Sequence, residues 1–104
     1  MQPTKQAITN FVDRVTKECR TDPIFKNRKT GEIYGSPVLG VNFGRKYAKI
    51  TADNGGSAWG FVNMETGDLL KAASWSAPAR HARGNIETAQ YGRNYVWTGP
   101  VYLR

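Results

Sequence analysis

A chain of 104 residues, 39% hydrophobic and 12% aromatic, has the length of one domain and too many rings for a disordered tail. Its 15 Lys and Arg against 8 Asp and Glu give a formal charge of +7, which attracts polyanions and acidic surfaces and says nothing about fold. One cysteine excludes an internal disulfide and a multi-cysteine zinc site, and no apolar run nears the ~20 residues of a membrane span.

The N-terminus, MQPTKQAITNFVDRV, lacks the apolar stretch of a signal peptide. These features lead to the expectation of a soluble, intracellular single domain over residues 1–104. The charge is uneven. Residues 1–35 hold seven basic and four acidic side chains, residues 36–70 three of each, and residues 71–104 five basic and one acidic. A positive surface is therefore expected from the two ends of the chain.

Ile8, Phe11, Val12, Val15 and Cys19 recur at spacings of three and four, an apolar stripe that predicts a helix of about four turns. Thr4 is its expected N-cap, and Thr21-Asp22-Pro23 its stop, because the residue before proline disfavours the α region. Cys19 reads as a small buried hydrophobe on this stripe. Lys29-Thr30-Gly31-Glu32 has the form of a tight turn joining short strands around 25–28 and 32–34. The glycine-punctuated stretch 35–44 has neither phosphate-binding glycine motif nor a strand-glycine-helix context.

From there the period is two. KYAKITA (46–52) and AWGFVNM (58–64) alternate, with Trp59 and Phe61 expected on one face, and Asp53-Asn54-Gly55-Gly56-Ser57 closes them into a hairpin. A second turn, Glu65-Thr66-Gly67-Asp68, leads into LLKAASW (69–75), completing a three-stranded meander. Ser76-Ala-Pro-Ala-Arg-His-Ala-Arg-Gly84 reads as a short helix with Ser76 as cap, Pro78 in its first turn and Gly84 as terminator. The tail, NYVWTGPVYLR, supplies a final strand. The predicted fold is thus α+β: an N-terminal amphipathic helix packed on an antiparallel β-meander, a short second helix after it, and a C-terminal strand.

His81, the one histidine, has Ala and Arg for neighbours, which supply no orienting carboxylate for a general base and no second metal ligand. Asp22, Glu32, Asp53, Glu65 and Asp68 sit in or beside turns, where such residues bond backbone amides. No catalytic residue, metal site or cofactor is therefore assigned. The cations are more informative. Lys71, Arg80 and Arg83 are expected to form one patch, joined by Arg93 if the tail returns alongside, since Arg80 and Arg83 would share a helix face. Arg45, Lys46 and Lys49 could follow a nucleic-acid backbone while Tyr47, Trp59 or Trp75 stacked on bases. At least one Trp is expected in the core, and for Trp75 a place in the core is favoured over stacking on a base.

Residues 46–86 also carry a resemblance. Lys46-Tyr47-Ala48-Lys49-Ile50, the Thr66-Gly67-Asp68 turn, Lys71-Ala72-Ala73-Ser74-Trp75, Ala77-Pro78-Ala79-Arg80 and Arg83-Gly84-Asn85 resemble the shared core of a family of small tailed-bacteriophage proteins. Ser76 stands where that pattern has a lysine. The family has no assigned activity, so the resemblance implies a phage gene product in the cytoplasm of its bacterial host, or in the virion, and transfers no catalytic residue. The function expected from residues and resemblance together is a non-enzymatic binding module for nucleic acid or an acidic surface of a host protein, with no membrane partner. A minor virion or assembly component is the alternative, and a small hydrolase a third.

Overall fold

The computed structural model describes residues 3–52 and 55–101. Helix α1 spans Lys5–Arg20, and the Thr4 hydroxyl accepts from the Ala7 amide at 3.0 Å, satisfying one of the unpaired donors of the first turn. The five stripe residues are all buried. Asp22 is extended, as a residue before proline must be, and its carboxylate caps a single 3₁₀ turn at Pro23–Phe25.

Next comes a small hairpin bridged at Lys26 and Ile33. Its turn, Asn27–Glu32, repeats the construction of Asn63–Asp68. In each, the Asn side-chain oxygen accepts from the amides two and three residues on (Lys29 and Thr30; Glu65 and Thr66). The Thr hydroxyl then accepts from the acidic residue's amide at 3.2 Å, and Gly31 or Gly67 takes a positive φ of 76° or 79°. The two turns thus share one geometry, carried by Asn-x-x-Thr-Gly-Asp/Glu.

Five antiparallel strands follow in simple meander order: β1 (Gly40–Phe43), β2 (Tyr47–Ala52), β3 (Ser57–Asn63), β4 (Asp68–Ala72) and β5 (Pro78–Asn85). Ala48, Ile50, Val62 and Leu69 point to the helix side and join its stripe in one core. The register sets Asn42, Lys49, Phe61, Leu70 and Ala82 in a row across all five strands. By the pleat this row faces away from the helix. Two short strands, β6 (Tyr95–Val96) and β7 (Gly99–Pro100), make a separate ribbon. The ribbon places the fully buried Tyr95 edge-on to Phe11, Trp59 and Tyr91 at 5.5, 5.8 and 5.8 Å.

Three expectations need correction. The segment Ser76–Gly84 is not a helix: Ser76 lies in an exposed loop closed by the Ala73 and Ser74 amides on the Ala77 carbonyl, and the residues after it form β5. Nine residues with only three alanines and one proline as apolar side chains offer no stripe to bury, and so short a helix is marginal alone. Pairing with β4 (Leu69 with Gly84, Leu70 with Ala82, Ala72 with Pro78) satisfies the backbone instead. Gly84 serves a close approach, since the Asn94 amide lies 2.9 Å from where a Cβ would stand and φ is 151°.

Trp59 and Phe61 do not face together. Ile50 pairs with Gly60 and Thr51 with Ala58, so Trp59 is the extra residue of a bulge that turns it into the core, while Phe61 meets Tyr47 on the other face. The tail contributes the two strands of a ribbon in place of one. Asp53 and Asn54 of the expected hairpin turn, and Tyr102, Leu103 and Arg104 of the tail, lie outside the described residues. Among the described residues no helix is long and apolar enough to cross a membrane.

Candidate nucleic-acid interface

The cations nominated by the sequence divide into two groups with different work. Lys71 and Arg83 do converge, as expected, but on the protein's own tail. The Lys71 ammonium donates to the Pro100 carbonyl at 3.1 Å and Arg83 Nε to the Val101 carbonyl at 2.9 Å, while a second Arg83 nitrogen donates to the His81 carbonyl. Two partly buried cations thus satisfy the consecutive carbonyls of a strand end, a structural use of charge. Arg80 is exposed on β5, and the spacing of three that would align it with Arg83 on a helix does not align them on a strand. The tail does return beside β5, where Asn94 donates to the Arg83 carbonyl at 2.9 Å, leaving Arg93 exposed in the adjoining turn.

The second group lies at the sheet. Arg45 and Lys46 are exposed in the β1–β2 turn, and Lys49 belongs to the row that faces away from the helix. Aromatic rings alternate with these charges. The Lys46 ammonium lies 5.5 Å from the Tyr47 ring centre, and that of Lys49 only 3.9 Å from the centre of Trp75. Such contacts contribute ~0.5–1 kcal/mol at exposed sites and fix the relative placement of charge and ring. Trp75 reaches Lys49 from the β4–β5 loop and stays 50% exposed, so it is a surface ring and not the core anchor expected. Trp59 is the core tryptophan, with its indole N–H on the Trp97 carbonyl at 3.1 Å, and is removed from the stacking candidates. Phe61 and Leu70, although on the same face as Lys49, are buried. Tyr47 and Trp75 remain as rings that a planar ligand could reach.

Two polar clusters on the helix side were not apparent in the sequence. Tyr95 donates to Glu18 at 2.5 Å, with Arg14 at 3.5 Å from the same hydroxyl, and Tyr91 donates to Asp22 at 2.7 Å. Burial, reinforced by the Glu18 hydrogen bond, pushes the Tyr95 phenol up to about 12. The Tyr91 hydroxyl holds the Asp22 carboxyl below its usual range, with help from the Ile24 amide. Burial raises the Cys19 thiol to about 11, which suits an unreactive core residue. The tyrosine pairs cross from α1 and the turn after it to the tail and fasten it. Among the described residues no three His, Cys, Asp or Glu gather as a metal site. His81 is exposed on β5.

The sequence profile of a family of unknown function, DUF7717, matches residues 2–103. The chain belongs to that family. The match takes in α1, the β6–β7 ribbon of the tail and the cation–aromatic face alike. No curated protein and no solved structure matches the chain.

Proposed function

We propose that this DUF7717 protein is a small basic binding module, phage-encoded and without catalytic activity, that engages nucleic acid through the sheet face carrying Tyr47, Lys49 and Trp75. Arg45 and Lys46 extend that face at its turn. The observation that carries the reading is the half-exposed Trp75 ring held over the Lys49 ammonium on the side of the sheet away from the helix. Bases stack on exposed rings regardless of sequence, and flanking cations follow the phosphates. The family-like core at 46–86 supports a role during infection, in the cytoplasm of the bacterial host. The sequence neighbours of His81, Arg80 and Ala82, supply no carboxylate to orient its ring, which supports binding without catalysis.

Anisotropy titrations with labelled single-stranded DNA, double-stranded DNA and RNA test the reading. Three phosphate contacts, by Arg45, Lys46 and Lys49, predict that single-strand affinity falls about twentyfold between about 50 and 200 mM salt. No binding to any of the three at low salt overturns it and leaves an acidic host protein as the partner. Arg45→Glu with Lys46→Glu should weaken all sequences alike, because phosphate contacts position without specifying. A second reading, a minor virion or assembly component, is favoured by the exposed residues of the two edge strands, β1 and β5. Oligomers of the protein alone in mass photometry would support it.

A further inference from the structure

Four of the six exposed large hydrophobic side chains among the described residues fall between Ile24 and Val38, on and after the Lys26–Ile33 hairpin. Ile24 is 58% and Tyr34 60% exposed. Neither is loose. Between them Phe25 is buried, packs edge-on to Trp97 at 5.2 Å, and accepts from the Tyr34 amide at 2.8 Å. Asp22, at the start of the segment, is tied to Tyr91. With Phe25 locked inward, the side chains of Ile24 and Tyr34 are held in water by the fold itself. They line an open groove of about 530 Å³ together with Pro23, Lys26, Arg28 and Lys29.

The charge of this groove is one-sided. Lys26, Arg28 and Lys29 are exposed and make no ion pair among the described residues. The Asp22 carboxylate is occupied by the Ile24 amide and the Tyr91 hydroxyl, which leaves Glu32 as the hairpin's exposed acid. Exposed apolar side chains rimmed by charge mark interaction surfaces. Of the groove's two exposed apolar side chains one, Ile24, is aliphatic and gives a base nothing to stack on, whereas aliphatic side chains can cover both Ile24 and Tyr34, which favours a peptide here. A second copy would set three cations against three, which argues against self-association.

We propose that the Pro23–Tyr34 hairpin is a docking site for a short segment of a partner protein in which acidic side chains alternate with aliphatic ones. The aliphatic side chains cover Ile24 and Tyr34, and the carboxylates meet Lys26, Arg28 and Lys29. The site shares no residue with the Lys49–Trp75 face, so it stands or falls independently of the nucleic-acid reading.

The test is anisotropy with three labelled peptides of equal length: alternating Glu and Leu, all Glu, and alternating Gln and Leu. The Glu/Leu peptide should bind the wild-type protein at least about tenfold more tightly than either control, and Ile24→Ser or Arg28→Glu should each remove about that factor. Trp75→Ala should leave peptide binding unchanged. Both hairpin positions are exposed, so circular dichroism of the variants should match wild type. Absence of Glu/Leu binding, equal binding of all three peptides, or wild-type affinity in both variants overturns the proposal. So does an oligothymidine that binds wild type and Trp75→Ala but not Arg28→Glu, which would make the hairpin a nucleic-acid surface.

Discussion

Replacing Phe11 with Ala removes the main apolar side chain by which α1 grips the tail. The ring is 3% exposed and stands edge-on to Tyr95 at 5.5 Å, with the Arg14 guanidinium carbon 5.2 Å from its centre. Loss of a buried phenylalanine costs about 3–5 kcal/mol, from lost transfer energy plus the cavity left behind. The ring sits among Tyr95, α1 and the sheet, so collapse of the site would need several elements to move, which favours the upper part of that range. A chain of this length has a total stability of roughly 5–15 kcal/mol, so the variant would sit near the edge of folding. Urea unfolding followed by circular dichroism is the assay. With a slope of about 1–3 kcal/mol per molar, the midpoint should fall by roughly 2 M. Lys17→Ala, on the exposed side of the same helix, should stay within about 0.5 kcal/mol of wild type. If Phe11→Ala is no more destabilised than Lys17→Ala, α1 is not docked as described.

Tyr91→Phe removes the main cause of the low Asp22 pKa. Because that value is depressed on folding, the stabilisation is complete above the unfolded aspartate value of about 3.9 and is lost as pH falls through the folded one. In the variant the Asp22 carboxyl, followed by NMR, should titrate at higher pH, and an unmoved titration contradicts the assignment. At alkaline pH the sign reverses: Tyr95 and Cys19 are raised on folding, to about 12 and about 11. Their contribution is complete below the unfolded values of about 10 and about 8.5 and is lost as pH rises through the folded ones. Ionisation of Tyr95, followed by NMR of its own ring, should therefore accompany loss of the circular dichroism signal; ionisation of that ring with the signal intact would refute its burial. Thr4→Ala should cost about 1 kcal/mol in thermal unfolding through loss of the N-cap, and no change would put the helix start elsewhere.

The parts of the fold legible in the sequence are those whose signal is local. Helix α1 announces itself through Ile8 to Cys19, and β2 through the alternation of Ala48, Ile50 and Ala52 against Tyr47 and Lys49. The Asn-x-x-Thr-Gly-Asp/Glu turns carry their whole hydrogen-bond set within six residues. What failed depended on pairing between strands and on chain segments that meet only in the fold. Strand β5 owes its state to β4, while its alanines, arginines and Pro78 are compatible with a helix start. The core place of Trp59 follows from one bulged residue, which periodicity cannot locate, and the exposure of Trp75 from its position in the β4–β5 loop. The charges followed the same division. Arg45 and Lys46 were readable as cations beside the β2 strand, but the use of Lys71 and Arg83 required knowing that the Pro100 and Val101 carbonyls arrive beside them. Lys49 and Trp75 meet only because the β4–β5 loop reaches back over β2.

The affinity of wild type and Trp75→Ala for one labelled single-stranded oligonucleotide at low salt tests the central claim most directly. Trp75 is half-exposed and its removal leaves the core untouched, so both proteins should unfold at nearly the same urea concentration. Stacking of one base contributes about 1–3 kcal/mol, which predicts that Trp75→Ala binds roughly five- to 150-fold more weakly than wild type. Equal affinities for the two proteins would contradict a binding surface built on the Lys49–Trp75 face.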